Sequence, residues 1–308
     1  MIYTITLNPA LDRTLYVKKI HYDDSIRIEK EQRYAGGKGI DVSRVLTTLG
    51  INNKALGFIG GFSGEELEGR LLNKGVSSDF ISISGETRTN IIVNDMSTRT
   101  QTVFSAKGPT ITPHSLMQLI HKMENLKEPD MVTISGSLPP GVNPEIYRKI
   151  IEIAKNRGAT VVLDTDGDAL KVGIDGHPDI IKPNIHELSR LKGMEVKEMK
   201  DIIKAAKSIW EQGVKIVLVS MGAKGILLVS ENEGYIASPP DVEVENTIGA
   251  GDSAVAGFIY GLRQTSELKD ALAFAVAAGT ATTLKPGTAL CEKDVILELV
   301  PNINLTAI

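Results

Sequence analysis

The stretch Asn246-Thr247-Ile248-Gly249-Ala250-Gly251-Asp252-Ser253 sets glycines before a helical pattern and a carboxylate in that helix's first turn. Free amides at a helix N-terminus bind anions, and the helix dipole adds to that attraction. Glycines let a phosphate come close to the backbone. An aspartate beside it can take a proton from an attacking hydroxyl while the amides stabilise a transferred phosphoryl group. Taken alone, Asp252 reads more simply as a helix cap. A second stretch, Gly36-Gly37-Lys38-Gly39, permits tight backbone contact with a polyhydroxylated ligand. A simple turn or close helix packing fits those glycines equally well.

These residues need elements to hold them. Residues 2–7 read as a strand running into Asn8-Pro9, and 42–49 as a helix stopped by Gly50. Strands are expected over 55–59, 131–135, 160–163 (ending at Asp164), 180–181 and 215–220. Helices are expected over 144–157, with Pro144 near the start and Gly158 at the end, and over 200–213, 249–262 and 267–284. Strands alternating with helices imply an α/β fold with a largely parallel sheet covered on both faces. Segments 13–34 and 88–106 lack a helix and read as short strands with polar turns, a small β appendage made of two insertions. No linker or repeat divides the chain, so 1–308 reads as a single domain.

Composition narrows the function classes. At 308 residues, with 42% hydrophobic and 23% charged, the chain has the make-up of a soluble globular domain and not of a disordered segment, collagen or a coiled coil. A net charge of -4 lacks the basic footprint of a nucleic-acid binder, so an anionic substrate needs a local basic pocket. Cys291 is the single cysteine, which excludes an intrachain disulfide and a cysteine zinc cluster. No basic, apolar leader opens the sequence, and no apolar run is long enough to span a bilayer. The expectation is a cytoplasmic protein with no membrane or nucleic-acid partner.

Two separated signatures, 35–44 (Ala35-Gly36-Gly37-Lys38-Gly39-Ile40-Asp41-Val42-Ser43-Arg44) and 247–253, carry a resemblance to the ribokinase-like PfkB carbohydrate kinases. Leu7-Asn8-Pro9-Ala10-Leu11-Asp12, Ser135-Gly136-Ser137-Leu138-Pro139-Pro140-Gly141 and Lys182-Pro183-Asn184-Ile185-His186-Glu187 extend it over nearly the whole chain. The resemblance implies a ribokinase-like fold with a β-lid formed by the two insertions. It also implies transfer of the γ-phosphoryl of ATP, with Asp252 as base and Gly249, Ala250 and Gly251 as the anion hole. A ketohexose phosphate is the implied acceptor, fructose 6-phosphate before fructose 1-phosphate or tagatose 6-phosphate. A non-catalytic sugar-phosphate sensor on the same fold is the reading from a different class.

On the acceptor side, the resemblance implies that Gly36 and Gly37 contact the sugar together with Asp12, and that Ser137 bonds a sugar or phosphate oxygen. Arg88, Arg27 and Lys38 are the candidate phosphate cations, and Arg27 can reach the site of a second copy. The family usually has Asn where Asp41 stands. Ionised Asp only accepts hydrogen bonds and repels a phosphate unless Lys38 or another cation offsets it; otherwise substrate choice is altered. On the nucleotide side, the resemblance implies that Lys182, Asn184, Ser220, Gly222, Gly225 and Thr247 lie beside ATP and that Ala278, Gly279 and Thr282 line the adenine pocket. The resemblance further implies that Glu187, Asn184 and Asp164 organise Mg2+ and that loop carbonyls in 285–291 can bind K+. The lid has exposed edges and too little core to stand alone, so it is expected to pair with a second copy in a homodimer.

Overall fold

The computed structural model describes residues 1–265 and 267–308. Its first half runs β1 (Ile2–Thr6), β2 (Ala10–Val17), β3 (Ile28–Gly36), α1 (Lys38–Thr48), β4 (Asn53–Ile59), α2 (Gly61–Asn73), β5 (Ser77–Ser78), β6 (Ile81–Ser82), β7 (Arg88–Asp95), β8 (Thr100–Phe104) and α3 (Pro113–Glu124). The second half runs β9 (Met131–Ser135), α4 (Glu145–Asn156), β10 (Thr160–Asp164), α5 (Gly167–Ile174), β11 (Ile180–Ile181), α6 (Ile185–Lys192), α7 (Met199–Trp210) and β12 (Ile216–Ser220). It ends with β13 (Ile226–Val229), β14 (Gly234–Ser238), α8 (Ala250–Gln264), α9 (Leu268–Thr283), α10 (Lys293–Leu299) and β15 (Asn304–Ala307).

The main sheet has the order β15-β14-β13-β12-β11-β10-β9-β1-β4-β5. It is parallel from β5 to β12 and antiparallel from there to β15. Its central strands are buried on both faces, and the strand period of two sorts their side chains. Tyr3, Ile5, Val132, Ile134, Val161, Leu163, Val217 and Val219 enter one core with the apolar stripes of α3, α4 and α7. Ile2, Met131, Val162 and Leu218 enter the other, under α1, α8 and α9. A four-stranded sheet, β3-β2-β7-β8, stands apart as the lid.

Two boundaries differ from the sequence expectation. The lid is larger than 13–34 and 88–106: Ala10 pairs with Gly36 and Asp12 with Tyr34, so Asp12 and Gly36 sit on lid strands. Helix α1 begins at Lys38 and not at residue 42. Gly37, at φ 111, makes the turn that a side chain would strain, and helix follows at once. Gly39 is retained inside α1 because a Cβ there would lie 2.4 Å from Thr6 Oγ1. Among the described residues no helix is long and apolar enough to cross a membrane.

Helices α8 and α9 touch almost backbone to backbone. A Cβ on Gly257 would lie 2.4 Å from the Phe274 carbonyl oxygen and 2.7 Å from Ala278 Cβ. Gly257→Val is therefore expected to destabilise the protein by about 1–3 kcal/mol through overpacking, read by urea denaturation. An unchanged midpoint would contradict this packing.

Candidate active site

The parallel strands end on one edge, where ligands of open α/β sheets bind. Asp164 closes β10 level with Ser135 at the end of β9. Lys182 follows β11, and Asn184 bridges to Ser220 at the end of β12.

The turn into α8 is built by Asn246. Its Oδ1 accepts from the Ile248 amide at 2.6 Å and its Nδ2 donates to the Lys285 carbonyl at 2.9 Å. Gly249 then takes the left-handed conformation, φ 76, that a glycine adopts without strain. No side chain caps α8, so Asp252 is not the helix cap, and apart from Ala250, whose amide donates to the Thr247 carbonyl at 3.4 Å, the opening amides are left for an anion. Asp252 itself is buried, and burial first, then Asp164 and Glu187, push its pKa up to about 7 against the pull of Lys38 and Lys182. A carboxyl poised there suits proton exchange near neutrality.

Beside it lies a charge cluster around the buried Asp164. Lys38 Nζ is 2.9 Å from Asp164 Oδ1, Lys182 Nζ is 3.0 Å from Asp164 Oδ2, and Lys38 is 3.4 Å from Glu187 Oε1. Burial works to raise Asp164, but Lys182 and Lys38 outweigh it and hold the carboxyl below its usual range. Burial likewise opposes the charge on Lys38, and Asp164, Asp252 and Glu187 overcome that and raise its pKa. Lys38 is thus committed to the carboxylates of this cluster and does not stand free for an acceptor phosphate. Glu187 and Asn184 cap α6 reciprocally: the Asn184 amide donates to Glu187 Oε2 at 2.8 Å, and the Glu187 amide donates to Asn184 Oδ1 at 2.9 Å. Lys182 Nζ lies 3.3 Å from where a Gly251 Cβ would stand, so the bare glycine brings an ammonium onto the anion loop.

On the lid side, Asp12 is buried and its Oδ1 accepts from Asn90 Nδ2 at 2.8 Å. A Cβ on Gly36 would lie 2.3 Å from Asp12 Oδ2, which accounts for that glycine. Burial raises the Asp12 pKa, with Asn90, Arg88 and Arg44 partly opposing it. Asp41 is paired to Arg44, Nη1 to Oδ1 at 2.7 Å, so the offsetting cation is Arg44 and not Lys38. Burial, with Asp252 and Asp12 nearby, still keeps Asp41 well above the usual carboxylate range. Arg88 donates Nη1 to the Ala106 carbonyl at 2.9 Å and Nε and Nη2 to the Asn8 carbonyl at 3.2 and 2.9 Å. With Thr87, Thr89, Gly108 and Thr110 it lines a cleft of about 570 Å³.

Other expected residues fall differently. Ser137 is exposed and holds a 3.4 Å bond from Asn8 Nδ2. Thr247 is exposed at the loop, and Gly222 and Gly225 shape the hairpin turn from β12 to β13. Arg27 is exposed just before β3, and the structure does not bring it to this chain's own site. Ala278 and Thr282 are fully buried. Ala278 packs where α8 has Gly257, while Thr282 Oγ1 donates to Ser253 Oγ at 2.7 Å and accepts from the Cys291 amide at 3.1 Å. Neither side chain lines an accessible pocket, and Gly279 lies against the Ala250 carbonyl on the same helix contact. Their small size serves the approach of α9 to α8.

Asn246, Asn90 and Arg44 take site roles that no sequence motif assigns to them. Asn90 was readable from Arg88, because residues two apart on a strand share a face. Arg44 lies three residues after Asp41, a helical ion-pair spacing, but only once α1 starts at Lys38.

Comparison with known proteins agrees with this geometry. The model of the pfkB family carbohydrate kinases matches residues 5–295. The 1-phosphofructokinase of Bacillus subtilis (strain 168) is 35% identical over 306 residues, covering 99% of each chain. A crystal structure of the phosphofructokinase-2 from Escherichia coli in complex with potassium superposes with a TM-score of 0.94 at 33% identity, covering 98% of each chain. Arabidopsis thaliana ribokinase, solved with ribose and ATP, superposes at 0.78 with 23% identity over 97% of this chain and 98% of that one, which shows a shared ribokinase-like fold. A family match over almost the full length, with both signatures meeting at one sheet edge, shows that this chain belongs to the pfkB family carbohydrate kinases and is an ATP-dependent sugar kinase.

Proposed function

We propose that the acceptor is a ketohexose monophosphate, fructose 6-phosphate phosphorylated at its 1-hydroxyl. The observation that carries the reaction is Asp252, poised at about 7 in the first turn of the uncapped helix α8 with Lys38 and Lys182 nearby. Asp252 takes the proton as the acceptor oxygen bonds to the γ-phosphorus. The bond from that phosphorus to the bridging oxygen breaks, and ADP leaves. The amides of Gly249 and Gly251 and the Lys182 ammonium meet the charge on the transferred group. In the Arg88 cleft, the Nη N–H groups that Arg88 does not spend on the Asn8 and Ala106 carbonyls suit the acceptor's phosphate.

Glu187 fits magnesium, because its Oε1 has only the long contact to Lys38 and this ion takes a carboxylate together with phosphate oxygens and waters. Asp164 fits in part: Lys38 holds its Oδ1, while Oδ2, 3.0 Å from Lys182 Nζ, is buried without a hydrogen-bond partner and could join magnesium's shell. When bound, magnesium neutralises phosphate charge. Thr288 Oγ1 is buried without a partner in the 285–291 loop, and that hard oxygen supports potassium there. The lid leaves Ile28, Val103 and Phe104 exposed, which supports a homodimer through it. The one cysteine, buried and free, supports a cytoplasmic setting, and recovery of the protein in the membrane fraction would contradict it.

A second reading has an observation behind it. The Bacillus subtilis relative is a 1-phosphofructokinase, which points to fructose 1-phosphate as acceptor. Both readings give fructose 1,6-bisphosphate. An ADP-release assay with magnesium ATP against fructose 6-phosphate, fructose 1-phosphate, tagatose 6-phosphate, ribose and adenosine tests them by kcat/KM. The expected order puts fructose 6-phosphate first, and preference for fructose 1-phosphate moves the assignment to the second reading. With Arg88→Ala, KM for the phosphosugar should rise about 10- to 100-fold, as for a lost hydrogen-bonded charge. Preference for ribose or adenosine, or an unchanged KM, would overturn the phosphosugar reading. The same assay with tetramethylammonium in place of potassium, and light scattering on the same preparation, test the cation and the dimer. Unchanged turnover or a monomer would remove each in turn.

A further inference from the structure

Arg44 joins three parts of the lid side and touches none of the groups assigned to chemistry. It lies on α1, one turn after Asp41, and its side chain is 11% exposed. Nη1 donates to Asp41 Oδ1 at 2.7 Å and also to the Ala35 carbonyl at 2.9 Å. Its guanidinium sits over the Tyr34 ring, 5.6 Å from the centroid. Tyr34 and Ala35 are near the end of lid strand β3, where Tyr34 pairs with Asp12 and Ala35 with Leu11. Gly36 and Gly37 follow directly. The other Asp41 oxygen, Oδ2, lies 4.0 Å from where a Gly249 Cβ would stand, so it is turned toward the anion loop.

A carboxylate has two equivalent oxygens and a freely rotating end. One strong bond to Oδ1 fixes which oxygen faces the site. The same guanidinium nitrogen ties down the strand that carries the sugar-contacting glycines. Lysine offers a point charge and cannot also lie flat on Tyr34 while bonding both oxygens in one plane.

We propose that Arg44 is a positioning residue for the acceptor sugar: it clamps Asp41 and the end of lid strand β3 together, so that Asp41 Oδ2 and the glycine loop meet the sugar as one preorganised surface. This rests on the kinase reading above and adds to it a residue that sets acceptor affinity. Preorganisation of this kind acts on acceptor binding and leaves the phosphoryl donor untouched.

The test is steady-state kinetics with whichever acceptor of the panel turns over best, so that a wrong acceptor assignment shows in the wild type and leaves the Arg44 measurement intact. Arg44→Met should raise the acceptor KM about 10-fold or more, with kcat within about 3-fold and the ATP KM unchanged. Arg44→Lys should recover only part of that KM, because a point charge can keep the pair with Asp41 but not the Ala35 bond and the Tyr34 stack as well, and it guards against a Met variant that fails to fold. In an Asp41→Ala background, Arg44→Met should raise KM by a clearly smaller factor than in the wild type, because only its hold on the end of β3 is left to lose. Full additivity of the two substitutions, a fall in kcat with KM unchanged, or an ATP KM that rises in parallel would each overturn the proposal.

Discussion

Asp252→Asn is expected to lower kcat about 10²- to 10⁴-fold, the range for loss of a general base, while KM for both substrates stays within a few-fold. Asn keeps the shape and cannot take the proton. In the wild type, kcat/KM should rise with pH through about 7, where burial and the neighbouring carboxylates have placed Asp252. The variant should lose that limb. Equal ADP release in both proteins would sink the mechanism and revive the sugar-phosphate sensor.

The same substitution carries a stability signature of opposite sign. The folded pKa, about 7, lies above the ordinary carboxyl value of 3.8, so the folded state binds this proton more tightly than the unfolded one. That contribution to stability is complete below the unfolded value and is lost as pH rises through about 7. Above it, the wild type holds an unfavourable buried charge that Asn removes. At pH 8 Asp252→Asn should therefore melt a few degrees higher, at about 2–4 °C per kcal/mol for a chain of this class. The gain should disappear near pH 4. A variant that melts lower at pH 8 would show that the carboxylate is better paired than burial and repulsion imply.

The second large effect is expected for Lys182→Met. This lysine is buried, pairs with Asp164 and stands over Gly251, so it serves both the scaffold and the anion loop. Loss of one preorganised cation at the transferred group should lower kcat about 10²- to 10³-fold. Lys182 also helps to keep Asp252 ionised, so the rising limb of the pH profile should move above 7. Stability should fall by about 2–3 kcal/mol, less than for a fully orphaned buried charge because Lys38 still holds Asp164. Asp164 is held below its ordinary pKa, so the stability it gives is present above 3.8 and is lost as pH falls through the folded value. The destabilisation by Lys182→Met should accordingly be greatest at neutral pH and fade in acid. Adding Asp164→Asn should restore stability and not activity. Recovery of both would place Lys182 in the scaffold alone.

Much of this molecule was legible in the residues. The core strands were readable because buried parallel strands are short, β-branched runs ended by turn residues, and 131–135 or 160–163 need no partner to be recognised. Helix 144–157 was readable from its apolar stripe and its glycine stop. Other parts resisted for physical reasons. The start of α1 at Lys38 was hidden, since Gly-x-Gly reads as loop and only the space against Thr6 explains a glycine inside that helix. Small residues on α9 read as a ligand wall, although their size serves helix packing against Gly257. Lid strands β2 and β3 were cut short because Asn8-Pro9 and Gly36-Gly37 look like loop, while cross-strand pairing extends the sheet through Ala10 and Gly36.

The sequence by itself determined the chemistry class. A glycine turn, a first-turn aspartate and a glycine-lysine-glycine loop are local patterns, and their backbone consequences act within a few residues. Which of the charges far apart in the chain pair with which was decided by the tertiary structure alone. Lys38 meets Asp164 across 126 positions and Glu187 across 149, and Asp12 meets Asn90 across 78. Such pairings depend on strand order and on the end of the sheet where each strand stops. They turn a lysine that reads as a phosphate ligand into the partner of buried carboxylates, and leave Arg44 to hold Asp41.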